Sequence, residues 1–160
     1  MIRKVQTSDA EAICTIYNHY ITHTIITFEE QPLTIAEISI RIAECSTVRP
    51  WLVLEEAGTV IGYAYAGAWK GRSAFRHSVE SSVYLDPTAI GRGLGTQLYT
   101  SLIDNLKAIS THAVIAAITL PNESSVVLHE KLGFIKVGHF REVGWKFERW
   151  LDVGYWEYIL

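Results

Sequence analysis

The sequence predicts a mixed α/β domain, with an antiparallel first half and a second half of β-α-β type. Three features point there. Apolar residues recur at helical spacing from about residue 8 to residue 49, then at strand spacing. A glycine-rich turn, Gly91-Arg92-Gly93-Leu94-Gly95-Thr96, joins a strand to a helix with a leucine stripe. The chain has 160 residues, 49% apolar and 19% charged, which is enough for one core and is read as a single domain over 1–160. That composition excludes a disordered chain. A net charge of -3 makes nucleic acid and anionic membranes poor partners, and neither is expected.

Each element follows from local pattern. Residues 2–5 read as a short strand. Ser8-Asp9-Ala10-Glu11 has the form of a capping box, and Ile13, Ile16, Tyr17, Tyr20 and Ile21 continue a helix to about residue 23. Thr34-Ile35-Ala36-Glu37 is a second capping box, opening a helix that carries Ile38 and Ile42, and Pro50 bars anything helical before it. Strands follow at 51–56, 60–69 and 78–85, with a turn at Ala57-Gly58 and a polar loop at 70–76. Leu94, Leu98, Leu102 and Leu106 form the stripe of the next helix. Residues 112–120 read as a buried strand. A short helix ends before Gly133, and strands at 134–143 and 150–160 close the chain. The expected total is about seven strands and about four helices.

The glycine-rich turn can crowd backbone amides around a phosphate at a helix N-terminus. It departs from the dinucleotide fingerprint at Thr96, and no Gly-Lys-Ser/Thr follows as in a Walker loop. Taken alone, the glycines favour packing of a tight turn slightly over a phosphate site.

The residues around the turn change that balance. Ser82-Val83-Tyr84-Leu85-Asp86-Pro87, the glycines after it and the leucine helix resemble the acetyl-CoA motif of the GNAT superfamily of N-acetyltransferases. Leu120-Pro121-Asn122 and His129-Glu130-Lys131-Leu132-Gly133-Phe134 resemble that superfamily's next segment. Tyr17-Asn18-His19-Tyr20, Ala64-Tyr65-Ala66-Gly67, Val79-Glu80 and Trp150-Leu151-Asp152-Val153-Gly154 are similar to phosphinothricin and methionine sulfoximine acetyltransferases, over nearly the whole chain. The resemblance implies a central, mostly antiparallel mixed sheet and acetyl-CoA as co-substrate. It implies a homodimer acting on a small amino-acid-like amine; a cytoplasmic location is expected from the N-terminal pattern and the lack of a long apolar run. Ile90 departs from the superfamily, which has Gln or Arg there, and Phe75 stands where several relatives have Tyr.

The resemblance also assigns residues. Glu80 is the expected base, and period two puts it on one strand face with Ser82 and Tyr84. His129 is the expected acid toward the thiolate. Val83, Tyr84 and Leu85 flank the thioester and pantetheine. Gly91, Arg92, Gly93, Leu94, Gly95 and Thr96 take the pyrophosphate. Asn122 and Lys131 match positions that contact the CoA arm in relatives; Ser125 is left as a hydrogen-bonding group for cofactor or substrate or as a residue of the helix's first turn. Lys70, Arg72, Ser73 and Ala74 bind the amine substrate, since guanidinium forks onto carboxylate or phosphinate. Glu29 and Glu30 lie where relatives approach the substrate amine; a solvated acidic loop is the equal alternative.

Other readings stay open: a polyamine, an antibiotic or a protein N-terminus as acceptor, or a CoA-binding module without catalysis. Cys14 and Cys45 are read as free thiols. The six histidines and two cysteines are read as holding no metal-ligand spacing, so no metal is expected. No run approaches the roughly 20 apolar residues of a membrane span, and no apolar stretch follows the basic Arg3-Lys4 as in a secretory signal.

Overall fold

The computed structural model describes residues 1–160. Seven strands form one sheet: β1 (Ile2–Lys4), β2 (Trp51–Glu56), β3 (Thr59–Ala68), β4 (Ser78–Leu85), β5 (Ala113–Leu120), β6 (Ile135–Lys146) and β7 (Arg149–Ile159). Their order across the sheet is β1-β2-β3-β4-β5-β7-β6. Four α-helices join them: α1 (Ala10–His23), α2 (Ile35–Ser46), α3 (Leu94–Lys107) and α4 (Glu123–Lys131). The mixed, mostly antiparallel sheet is the expected one, and only β4 and β5 run parallel.

The period-two pattern of β2 shows how the sheet divides two cores. Leu52 and Leu54 join the leucine stripe of α3, with Tyr99, Val79, Val114 and Trp156. Trp51 and Val53 face the other way, under Ile13, Tyr17 and Ile21 of α1 and Ile38 and Ile42 of α2.

Two local readings need correction. The Ser8 capping box does not form. A single 3-10 turn (Thr7–Asp9) precedes α1, and Asp9 takes the anchoring role. Its carboxylate accepts from the Gln6 amide at 2.7 Å and from both Arg3 guanidinium nitrogens at 2.8 Å, while Arg3 also reaches Glu55 at 2.8 Å. A nearby arginine outcompetes a helix-start motif because a bidentate charged pair is stronger than one neutral cap. The Thr34–Glu37 box forms as read, with Glu37 N donating to Thr34 Oγ1 at 3.2 Å and Thr34 N to Glu37 Oε2 at 2.7 Å. The second correction is the length of β6, which runs to Lys146 rather than 143. The hairpin turns at Phe147 and Glu148, both left-handed at φ 50° and 57°, a two-residue turn made without glycine or asparagine.

Asp9 gives a stability prediction. Hydrogen bonds from Arg3 hold its carboxyl below the usual carboxylate range. Its contribution is therefore complete above the unfolded-state pKa and is lost as pH falls through the lower folded value. Asp9→Asn should cost about 1–3 kcal/mol near neutral pH and progressively less as the pH is lowered below the ordinary carboxylate range. Urea unfolding across that pH range measures this. Equal losses throughout would show that the pair is not what Asp9 contributes.

The site is prepared where β4 and β5 part. Their ladder holds only Ser78↔Ala113, Val79↔Val114 and Glu80↔Ile115. Ser81 Oγ, shared with the Tyr99 hydroxyl at 2.6 Å, reaches the Ile115 carbonyl at 3.4 Å just past the last pair. Beyond it β4 stays paired to β3 as far as Leu85, while β5 stays paired only to β7 as far as Leu120. One edge of β4 is thereby left open next to α3 and α4.

Candidate active site

α3 begins at Gly93, which is left-handed at φ 74°, as is Gly91 at 81°. A β-carbon at either position would meet no protein atom within 4 Å. These two glycines therefore serve backbone shape and leave open space beside the turn rather than packing against other side chains. The space is a groove of about 330 Å³. Val83, Tyr84, Leu85, Gly91, Gly93, Leu94, Gly95, Thr96, Asn122 and Lys131 all line it, with Ser125 and, at its rim, the exposed Ile90. Amides at the start of a 14-residue helix suit an anion there. Asn122 also caps α4, its Oδ1 accepting from Ser125 N at 3.3 Å. Arg92 does not line the groove. Its guanidinium forks onto Glu56 at 2.6 and 3.1 Å, so its charge is already answered.

From this groove a gap of about 50 Å³ leads between the parted strands, past Ser81, Ser82, Asn122, Ser125 and His129. His129 is 4% exposed, edge-on to Tyr99 and Phe134. Its Nδ1 lies 2.7 Å from the Ser125 carbonyl, which can only accept, so the proton sits on Nδ1. Nε2 has no protein partner and is not sealed off. Burial lowers the imidazole pKa, opposed by the bond to Ser125. The ring is therefore neutral at pH 7 with a lone pair at Nε2, not the imidazolium that an acid role would start from.

Past the gap lies a cavity of about 560 Å³, lined by Glu80, Ser82 and Tyr84 from β4 and by Tyr17, Thr27, Phe28, Gly144, Trp145 and Tyr155, among others. Glu80 is half-buried and makes no hydrogen bond to protein. Burial raises its pKa, opposed by the nearby Lys70 ammonium. A carboxylate left unpartnered in a cleft with a raised pKa is suited to taking a proton.

The remaining expected residues are placed differently. Lys70 lies over the Trp69 ring at 4.6 Å, close enough to act on Glu80. Arg72, Ser73, Ala74 and Phe75 lie exposed on the loop before β4, and none lines the cavity. Glu29 is clamped by Arg41 at 2.6 and 3.0 Å and accepts from Tyr17 at 2.8 Å. Burial pushes its pKa up, but Arg41 and Tyr17 more than offset this, so it is a structural carboxylate. Glu30 is exposed. The reading of no metal-ligand spacing overlooked His19 and His23, which stand one turn apart on α1 with rings stacked at 5.0 Å. No third His, Cys, Asp or Glu joins them.

The sequence reads the loop after Thr24 as a wall of a small pocket, and Thr27 and Phe28 of that loop do line the cavity; Gly144, Trp145 and Tyr155 were missed. The missed residues come from a hairpin far from that loop in sequence, so no spacing connects the two. The only local signal was Gly144 beside Trp145 inside a strand pattern.

Comparison with known proteins supplies the context for this geometry. A family model described as an acetyltransferase (GNAT) domain matches residues 2–154. A phosphinothricin N-acetyltransferase of Streptomyces viridochromogenes is 42% identical over 98% of this chain and 85% of its own length. An L-methionine sulfoximine/L-methionine sulfone acetyltransferase of Salmonella typhimurium is 39% identical over 95% and 90%. The crystal structure of a phosphinothricin acetyltransferase from Sinorhizobium meliloti in complex with AcCoA superimposes with a TM-score of 0.97 at 36% identity, covering 100% of this chain and 88% of that one. No helix here is long and apolar enough to cross a membrane.

Proposed function

From the premise that the chain belongs to the GNAT family of acetyltransferases, we propose that it transfers an acetyl group from acetyl-CoA to the α-amine of a small amino-acid-like substrate of the phosphinothricin or methionine sulfoximine type. One observation carries this reading. The groove, the gap and the cavity share wall residues, with Ile26 and Tyr84 lining all three, so they adjoin one another in order from the helix N-terminus past His129 to Glu80.

Acetyl-CoA supplies an activated carbonyl and a thiolate leaving group. The chain's residues do the rest. The amides at Gly93, Leu94, Gly95 and Thr96 hold the pyrophosphate, and Asn122 and Lys131 border the CoA arm. Val83, Tyr84 and Leu85, on the open edge of β4, hold the thioester end. Glu80 accepts the proton that the ammonium must lose before it can attack, directly or through one water. His129 starts neutral, so its Nε2 takes the second proton, the one the nitrogen sheds once it has attacked the carbonyl, and passes it to the leaving sulfur. Lys70 tunes Glu80 and, with Arg72, Ser73 and Ala74, offers cationic and polar groups to the substrate's acidic end. The 1–160 chain acts as one catalytic domain in the cytoplasm, in keeping with its two unpaired cysteines.

Thiol release from acetyl-CoA across a panel of amines tests the reading. Turnover confined to free amino acids supports it. Turnover only with a polyamine, an aminoglycoside or a peptide N-terminus moves it to another acceptor, and tight CoA binding with no turnover makes the protein a binding module.

A second copy of the chain completes the reading. Val137, Phe140, Val143, Trp145, Phe147 and Trp150 on the β6–β7 hairpin are each about half exposed or more. So much clustered apolar surface suits a homodimer. Light scattering should give twice the 18.0 kDa chain mass, and the chain mass alone at micromolar concentration would overturn this.

A further inference from the structure

A separate cavity of about 270 Å³ lies between α1, α2 and strands β2 and β3. Its base is aromatic. The rings of Trp51, Tyr63 and Tyr65 run nearly parallel, within 19–23° of one another, with Trp51 and Tyr65 4.4 Å apart. Ile13 and Ile38 close the apolar part from the two helices. Tyr17 and Tyr65 also line the cavity that holds Glu80, so the two spaces share a wall. Arg49, Trp51 and Tyr63 line only the first of the two and have no part in the acetyl-transfer path.

These three residues each bring a donor to the cavity that the protein does not satisfy. Trp51 Nε1 is the one buried side-chain nitrogen or oxygen of the chain without a hydrogen-bond partner. Tyr63 is 2% exposed, and its hydroxyl also finds no partner in the protein, yet that oxygen is not sealed off. Arg49, half-buried just past the end of α2, enters no ion pair. The other polar groups are accounted for. Arg41 is engaged by Glu29 at 2.6 and 3.0 Å, and the Cys45 thiol donates to the Ala66 carbonyl at 3.1 Å. Glu44 is exposed, where solvent screens its charge. Buried donors left without acceptors are costly and uncommon. Two of them on adjacent strands, beside an unpaired guanidinium, suit a ligand that carries an anionic acceptor. A volume near the lower end of small-molecule sites limits that ligand to about one ring and one acid group.

We propose that this cavity is a binding site, separate from the acetyl-transfer path, for a small aromatic carboxylate. The ring of the ligand joins the Trp51, Tyr63 and Tyr65 set by stacking or edge-on contact. The carboxylate accepts from the Arg49 guanidinium and the Tyr63 hydroxyl, and the indole N–H adds a third donor at the same wall.

Calorimetry with phenylacetate, which has no amine and cannot be acetylated, tests this. Its Kd should be about 1 mM or tighter. Acetate, which lacks the ring, and benzyl alcohol, which lacks the charge, should each bind at least about tenfold more weakly. Arg49→Gln should weaken phenylacetate about tenfold or more and leave acetyl transfer unchanged. Tyr63→Phe should weaken it about fivefold and fold at least as well as wild type, because the hydroxyl it loses has no partner in the protein. Trp145→Ala, which alters only the cavity that holds Glu80, should leave phenylacetate affinity as it was. Melting temperatures confirm that each variant is folded. No binding at about 10 mM phenylacetate overturns the proposal, as does acetate binding equally well. Affinity that survives both Arg49→Gln and Tyr63→Phe, or that falls in Trp145→Ala, places the ligand elsewhere and overturns it too.

Discussion

Glu80→Gln is expected to lower kcat by about 10²–10⁴ while leaving KM for acetyl-CoA close to wild type. The amide keeps the shape of the side chain and removes only its capacity to take a proton. Glu80 lines the cavity and not the groove, so cofactor affinity should not follow it. The pH profile sharpens the test. A base works only when ionised, so the wild-type rate falls as pH drops through the Glu80 pKa. Burial raises that pKa, and the acid limb should therefore lie above the ordinary carboxylate range. Lys70 opposes the shift, so Lys70→Ala should move the limb further toward neutral pH. In Glu80→Gln the limb should vanish, and the residual rate should climb with pH as the free amine accumulates. Near-wild-type kcat from about pH 6 to pH 9 would make Glu80 structural and give the proton to water or to His129.

Gly93→Val should raise KM for acetyl-CoA about tenfold or more with a smaller effect on kcat. Two physical effects add. A β-branched residue at φ 74° is strained by about 1–3 kcal/mol, and relieving that strain rotates the first amides of α3 away from the groove. The new methyls also occupy space that is empty of protein, where a phosphate would approach. Because the side chain would strike no protein atom, the fold should survive, which circular dichroism checks. Calorimetry giving unchanged acetyl-CoA affinity in a folded Gly93→Val protein would remove the pyrophosphate from this turn.

Much of the fold was legible because its signals are local. The change of period before Trp51, the Thr34–Glu37 box and the leucine stripe of α3 each need only a few neighbours to act, and each formed as read. The groove was legible for the same reason, since Gly91, Gly93 and Gly95 sit in one turn. What failed depended on charged partners outside the local pattern of the element concerned. Arg3 decided how α1 begins, and Glu56 decided where the Arg92 charge goes. The hairpin side of the substrate cavity could not be read, because Gly144 meets Phe28 only after the sheet has formed. His129 was legible as a position but not as a protonation state, which the Ser125 carbonyl and the surrounding aromatic rings decide.

The irregularities of β6 bear on how far association can go. This strand is the sheet's outer margin, and its register slips between Lys136 and Gly138 and again between Phe140 and Gly144, with Glu142 left-handed at φ 51°. An unbroken margin of that length would offer a continuous row of amides and carbonyls on which another chain could template itself, and another on that one. Here the row is interrupted twice, and the segment between the slips carries the charges of Arg141 and Glu142. A neighbour can therefore be met through the apolar side chains but not by extending the sheet. If two copies meet through the same apolar patch, that contact closes around a two-fold axis, and a concentrated solution should then accumulate finite particles rather than fibres.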